Sequence, residues 1–168
     1  MIYEWCWLPE LFTRPPEMPW AEYDASLYQE YLLLINSEIV FRGMPVKFKR
    51  YPILEDRCES YWHLTCTDYQ RNGERFPDPD RCERIKWLKQ TIEHVDCKTE
   101  RCPECDGLLV WETRKNKPKH LRVNILFEEA RYLVVLEPRK DYYLLITAFY
   151  VGKDRALNKL INDYEAHQ

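Results

Sequence analysis

The chain has 168 residues, 45% of them hydrophobic and 14% aromatic, with a formal net charge of −3. That suits one domain over 1–168 with ample apolar material for a core, and it excludes an overall basic field as the means of holding nucleic acid. No run approaches the roughly 18 apolar residues that span a bilayer, and the acidic start MIYEWCWLPELF lacks the signature of a signal peptide, so the expectation is a cytoplasmic protein with no membrane partner.

Residues 1–20 are rich in Trp and Pro (EWCWLPELFTRPPEMPW) and read as an extended arm laid over the domain, because Pro15, Pro16 and Pro19 rule out a regular helix. From Trp20 the pattern becomes helical, with Tyr23, Leu27, Tyr31, Leu34 and Ile35 at three- and four-residue steps. The following FRGMPVKFKRYPILEDRCESYWHLTCTD alternates as strands do, one run around Val46 and Phe48 and a second over Tyr61 to Cys66. A polar loop, TDYQRNGERFPDP, leads to a helix over RCERIKWLKQTIEHV, with Asp78 or Asp80 as cap. Cys82, Ile85, Leu88 and Ile92 share its inner face, and Arg81, Arg84 and Lys86 fall away from it.

After a cysteine cluster come GLLVWETR, a basic turn KNKPKH and three strand-like runs (120–129, 130–138 and 141–151) whose short turns predict an antiparallel meander. A polar helix, DRALNKLINDYEAH, follows. The expected class is α+β, an antiparallel sheet with the N-terminal helix and a second helix packed on one face and the other face open.

Alternation over ESYWHLTC would place Tyr61, His63 and Thr65 on one face. In the last strand it makes Leu144, Ile146 and Ala148 the core row, with Thr147 opposite. In HLRVNILF the core row is Leu121, Val123, Ile125 and Phe127, with Arg122 and Asn124 opposite. On that reading His63, Thr65, Arg122, Asn124 and Thr147 converge on the open sheet face. An imidazole beside cations and hydroxyls is what metal-free RNA cleavage requires: a base for the ribose 2′-hydroxyl, an acid for the leaving oxygen and fixed positive charge for the transition state. His63 can be base or acid, and Arg81, Arg84 or Arg122 can grip phosphate through a guanidinium fork. The plainer alternative is a half-exposed sheet histidine. Arg71, Arg75, Arg81 and Arg84 suit phosphate contacts, and they equally suit ion pairs with Glu74, Asp78, Asp80 and Glu83 that fix the loop.

Seven cysteines (Cys6, Cys58, Cys66, Cys82, Cys97, Cys102 and Cys105) are an odd number, and only the last three cluster. In a reducing compartment this favours free core thiols plus one metal site over a disulfide framework. Cys102-Pro-Glu-Cys105 is a zinc-type knuckle, and His94 with Cys97 would complete four ligands for structural zinc inside a Cys-rich insertion, 94–107. Free thiols or a disulfide remain the alternatives.

The ordered set FRGMPVKFKRYP, YWHLT, RFPDPDRCERIKW, VWE and YLVVLEPRKDYYLLITAFYV resembles the phage- and prophage-associated predicted nucleases grouped with barnase, EndoU, colicin-type and RelE toxin ribonucleases. The resemblance runs from about Trp7 to Glu165, and RFPDPDRCERI and YYLLITAFYV carry most of it. It implies a helix-plus-sheet fold with a metal-independent ribonuclease site on the open sheet face, in toxin or phage-conflict settings. Carried over by position, His63, Arg81, Arg84 and Thr147 are the catalytic positions. The CKTERCPEC segment departs from that pattern. The expectation is an endoribonuclease with His63 as general acid/base and Arg81, Arg84 and Arg122 on the scissile phosphate. Thr147 and Thr65 would orient that phosphate, and Arg75 and Asn124 would contact the substrate. RNA is then the substrate and an antitoxin or inhibitor protein a partner to look for. The alternative is a catalytically silent module that holds a nucleic acid or a protein through the same face.

Overall fold

The computed structural model describes residues 7–68, 75–97, 107–116 and 119–168. The arm over 7–19 is pinned by backbone polar groups. Trp87 Nε1 donates to the Pro9 carbonyl (2.8 Å), the Phe12 amide donates to the Glu83 carbonyl (2.8 Å), and Tyr23 Oη donates back to the Phe12 carbonyl (2.6 Å). Helix α1 (Trp20–Asn36) follows, burying Tyr23, Leu27, Tyr31 and Leu34 as the periodicity predicts.

Two short hairpins come next, β1 (Val40–Phe41) with β2 (Met44–Lys47), and β3 (Ile53–Leu54) with β4 (Arg57–Cys58). The ESYWHLT segment then departs from expectation: it is a helix, α2 (Glu59–Thr65). Ser60, Tyr61, Leu64 and Thr65 are its buried positions, a one-, three- and four-residue spacing that only a helix puts on one side. Over seven residues the strand and helix periods are hard to separate, and the contact with the core decides between them. His63 and Thr65 therefore do not share a strand face.

Strands β5 (Cys66–Asp68) and β6 (Arg75–Pro77) form a small ribbon. The RCERI helix is split into α3 (Pro79–Glu83), capped by Asp78 accepting from the Asp80 amide at 3.0 Å, and α4 (Trp87–Glu93). The inner face read from the sequence holds across the break, with Cys82, Ile85, Leu88 and Ile92 all buried.

Strands β7 (Leu109–Asn116), β8 (Lys119–Phe127), β9 (Tyr132–Pro138) and β10 (Tyr143–Tyr150) form a four-stranded antiparallel meander, one strand more than expected. Strand β10 also pairs in parallel with β2, at Tyr143 with Val46 and Leu144 with Lys47, giving the order β1-β2-β10-β9-β8-β7. Beyond Leu144, α2 and α3 pack against β10.

One sheet face carries Val123, Ile125, Phe127, Val134, Leu136, Tyr143, Leu145 and Ala148 against α1, α2 and α4. The β10 core row differs from the sequence reading because the register shifts between Leu145 and Thr147. Such a bulge inverts the in-out phase, so Tyr143 and Leu145 point inward before it and Ala148 after it. Leu144 and Ile146 consequently face the other side.

That other side is not wholly open. Helix α5 (Asp154–Ala166) lays Leu157, Leu160, Ile161 and Tyr164 over Trp111, Leu126, Leu133 and Val151, and Trp111 Nε1 donates to Asp163 at 2.7 Å. Among the described residues no helix is long and apolar enough to cross a membrane.

Candidate functional site

The uncovered part of that second face, beside α2, is a cavity of about 370 Å3. Its floor is Arg122 from β8, Glu137 and Arg139 at the end of β9, and Leu144 to Ile146 of β10; its walls are Lys49, His120 and the Glu59, Ser60, His63 and Leu64 side of α2. His63 and Arg122 thus line one cavity, though by a different route from the one expected. The histidine comes from a helix wall and the arginine from the sheet floor.

Helix α2 is held firmly enough to aim His63. Tyr31 Oη and Ser60 Oγ share a 2.6 Å hydrogen bond, and Tyr61 Oη donates to Asp24 at 2.5 Å. Arg57 grips both oxygens of Asp24 at 2.8 Å while lying over the Tyr28 and Tyr61 rings. The Ser60 amide donates to the Lys49 carbonyl at 3.0 Å, which fixes Lys49 next to the start of the helix.

At the other end Arg81 Nη1 donates to the His63 carbonyl at 2.8 Å and satisfies an oxygen that the helix leaves without an internal partner. The Arg81 guanidinium also lies over the Phe149 ring. His63 itself is exposed at the rim. Crowding of its ring by protein pushes its pKa below 6.5, and the positive charges of Arg81, Arg75 and Lys49 push the same way against an opposing pull from Glu59. A neutral imidazole able to accept a proton is the result.

The floor is a compact charge cluster. The Glu137 side chain is only 5% exposed; it is in contact with Arg122, 2.6 Å from Arg139 Nη2 and 3.7 Å from His120 Nδ1. Burial, then the charge of Arg139, lowers the Arg122 pKa. Five nitrogen-bearing side chains (Lys49, His63, His120, Arg122 and Arg139) therefore surround one cavity that contains only two carboxylates.

The remaining sequence candidates lie elsewhere. Thr65 is buried and donates to the Tyr61 carbonyl at 2.8 Å. Arg75 is outside the cavity lining, paired at 3.0 Å with Glu59, which belongs to it. Arg84 lies over the Trp87 and Tyr150 rings and donates to the Asp80 carbonyl at 3.0 Å. Asn124 is buried and donates to Thr113 Oγ1 at 3.2 Å. Thr147 sits past the bulge opposite Val135, outside the cavity lining. Arg71 falls outside the described residues.

Lys49, His120, Glu137 and Arg139 were not singled out from the sequence. For His120 the signal was available: alternation through Arg122 and Asn124 puts it on their face. Glu137 and Arg139 carry no such mark, since they reach the cavity only through the pairing of β9 with its neighbours.

Of the four zinc ligands expected, Cys102 and Cys105 lie outside the described residues. The His94 ring stacks on Trp7 with centroids 4.5 Å apart and donates from Nδ1 to the Gln90 carbonyl at 2.8 Å. Among the described residues no three ligating side chains gather, and Cys58, Cys66, Cys82 and Cys97 are free thiols. Gly107 passes so close to Cys97 that a Cβ would stand 2.9 Å from the Cys97 carbonyl oxygen, at a φ of +82°, so only glycine suits the position and the two ends of the intervening segment meet there. In comparisons with known proteins, the chain matches no family model and has no significant match to a curated protein or a solved structure.

Proposed function

We propose that the cavity is the active site of a metal-independent endoribonuclease. The observation that carries this reading is the convergence of two imidazoles and three cations on one cavity, where crowding and neighbouring positive charge push the His63 pKa down. His63 would take the proton of the ribose 2′-hydroxyl. The freed oxygen attacks phosphorus, and His120 gives its proton to the departing 5′-oxygen, leaving a 2′,3′-cyclic phosphate and a 5′-hydroxyl. Arg122, Arg139 and Lys49 would carry the charge that builds on the phosphoryl oxygens, with Glu137 holding both arginines in position. Arg81 becomes a positioning residue, since its guanidinium holds the helix end that bears His63. The resemblance to toxin-type and phage-associated nucleases supports the same chemistry, with an inhibitor protein as the expected counterpart.

The test is cleavage of mixed RNA in EDTA by the wild type, H63A and H120A. Loss of either imidazole should cost roughly 10²- to 10⁴-fold in rate. A wild type that cleaves nothing, or variants that cleave as well as it does, would leave a binding module in place of an enzyme. For the Cys-rich segment we assign a structural zinc held by His94, Cys97, Cys102 and Cys105, pinning the end of α4 to the start of β7. Less than about half an equivalent of zinc after dialysis would remove it.

A further inference from the structure

A second cavity, of about 420 Å3, adjoins the first. It is lined by Ile35, Val46, Lys47, Phe48, Arg50, Tyr142 and Leu144, and Leu144 lines both cavities. The chain itself alternates between them: Lys47, Phe48 and Arg50 face the second and Lys49 the first. Three cations in the four residues KFKR thus track from one cavity to the next, in a protein whose net charge is −3. Among the described residues Lys47, Lys49 and Arg50 make no ion pair, and no acidic side chain lines the second cavity. The exposed Lys47 ammonium lies 4.7 Å above the centre of the Tyr142 ring, which orients it, and no carboxylate among the described residues is paired with it.

Cations on a surface ordinarily face carboxylates or water, and one oriented by an aromatic ring at a concavity is prepared for an anion. We infer that Lys47 and Arg50 form a phosphate subsite for the nucleotide next to the scissile one, so that the substrate is single-stranded RNA spanning at least two adjacent phosphates. The inference rests on the ribonuclease reading for the identity of the anion. Each cavity has the size of a pocket that encloses a small ligand. A nucleotide can enter such a concavity only when its base is free of a duplex, which is the usual situation for RNA contacted at single-stranded sites.

The experiment uses 2′-O-methyl oligonucleotides, which have no 2′-hydroxyl to react, and measures binding by fluorescence polarisation across a salt series. The wild type should bind a hexanucleotide more tightly than a dinucleotide. K47A/R50A should bind the hexanucleotide about tenfold less tightly, with a salt slope smaller by about 0.7, the share of one phosphate on a single strand. Its affinity for the dinucleotide should be unchanged, and the charge-preserving K47R/R50K should retain hexanucleotide binding. Equal hexanucleotide binding by the wild type and K47A/R50A would overturn the subsite and leave these cations for an acidic protein partner. A wild type with no preference for the longer chain would overturn it as well, whatever the cleavage assay shows. If the preference and its loss are both seen but RNA is not cleaved, the subsite stands and the catalytic reading fails.

Discussion

Replacing Glu137 by Gln tests the charge cluster on the cavity floor most directly. The substitution keeps shape and volume, so no packing defect is introduced, and it removes the one carboxylate shared by Arg122, Arg139 and His120. Arg122 is only 16% exposed, while Arg139 is 43% exposed. Arg139 can turn to solvent and recover its hydration, and Arg122 cannot. Removing one partner of a buried pair costs about 3–5 kcal/mol, and with only one of the two arginines trapped the lower end applies, about 3 kcal/mol. For a domain of this size that is a fall in Tm of roughly 6–12 °C. The assay is thermal denaturation at pH 7 with E137Q and the double variant E137L/R122L side by side. The double variant should recover much of the loss, because removing both charges leaves neither unpaired. An E137Q protein that melts within about 2 °C of wild type would refute the reasoning and show that water compensates Arg122.

Two further perturbations follow from the same structure. The folded chain resists protonating His63, whereas the unfolded chain takes up that proton near pH 6.5. The group therefore leaves stability unchanged above pH 6.5 and subtracts from it as the pH falls below, so the Tm of wild type should drop faster than that of H63Q under mild acid; parallel curves would mean the ring titrates normally. Cys82 is fully buried, and burial pushes its thiol up to about 12, so site-resolved alkylation at pH 8 should leave it unmodified in the native protein while half-buried Cys58 reacts. Equal labelling of the two would place Cys82 on a frequently opening segment.

The sequence shows α1 and the inner face of α3 and α4 because their apolar residues repeat at helical intervals over many turns, so the pattern survives even the break after Glu83. It fails at ESYWHLT, where seven residues satisfy two periods at once and only the packing of Tyr61 and Leu64 into the core selects one. It fails again in β10, where one extra residue near Ile146 reverses which side chains face inward and no residue type announces it. The placement of His63 and Arg122 on one cavity survives the wrong strand assignment because both side chains point away from the same core. His120 could have been included by strict alternation. Glu137, Arg139 and Lys49 depend on which strands become neighbours, and local sequence does not encode that pairing.

The parallel pairing of β2 with β10 sets the order in which the cavity can come into being. The meander from β7 to β10 joins neighbours in sequence and can close early, while Val46 must find Tyr143 across almost a hundred residues. Lys49 and His63 lie on the early side of that junction, and His120, Arg122, Glu137 and Arg139 on the late side. During synthesis on a ribosome, Lys49, Glu59 and His63 emerge before any of the floor residues they will face. Only after Leu144 has left the exit tunnel and seated beside Lys47 do the two sets of groups confront each other. Until that pairing forms, the growing chain carries no assembled cavity.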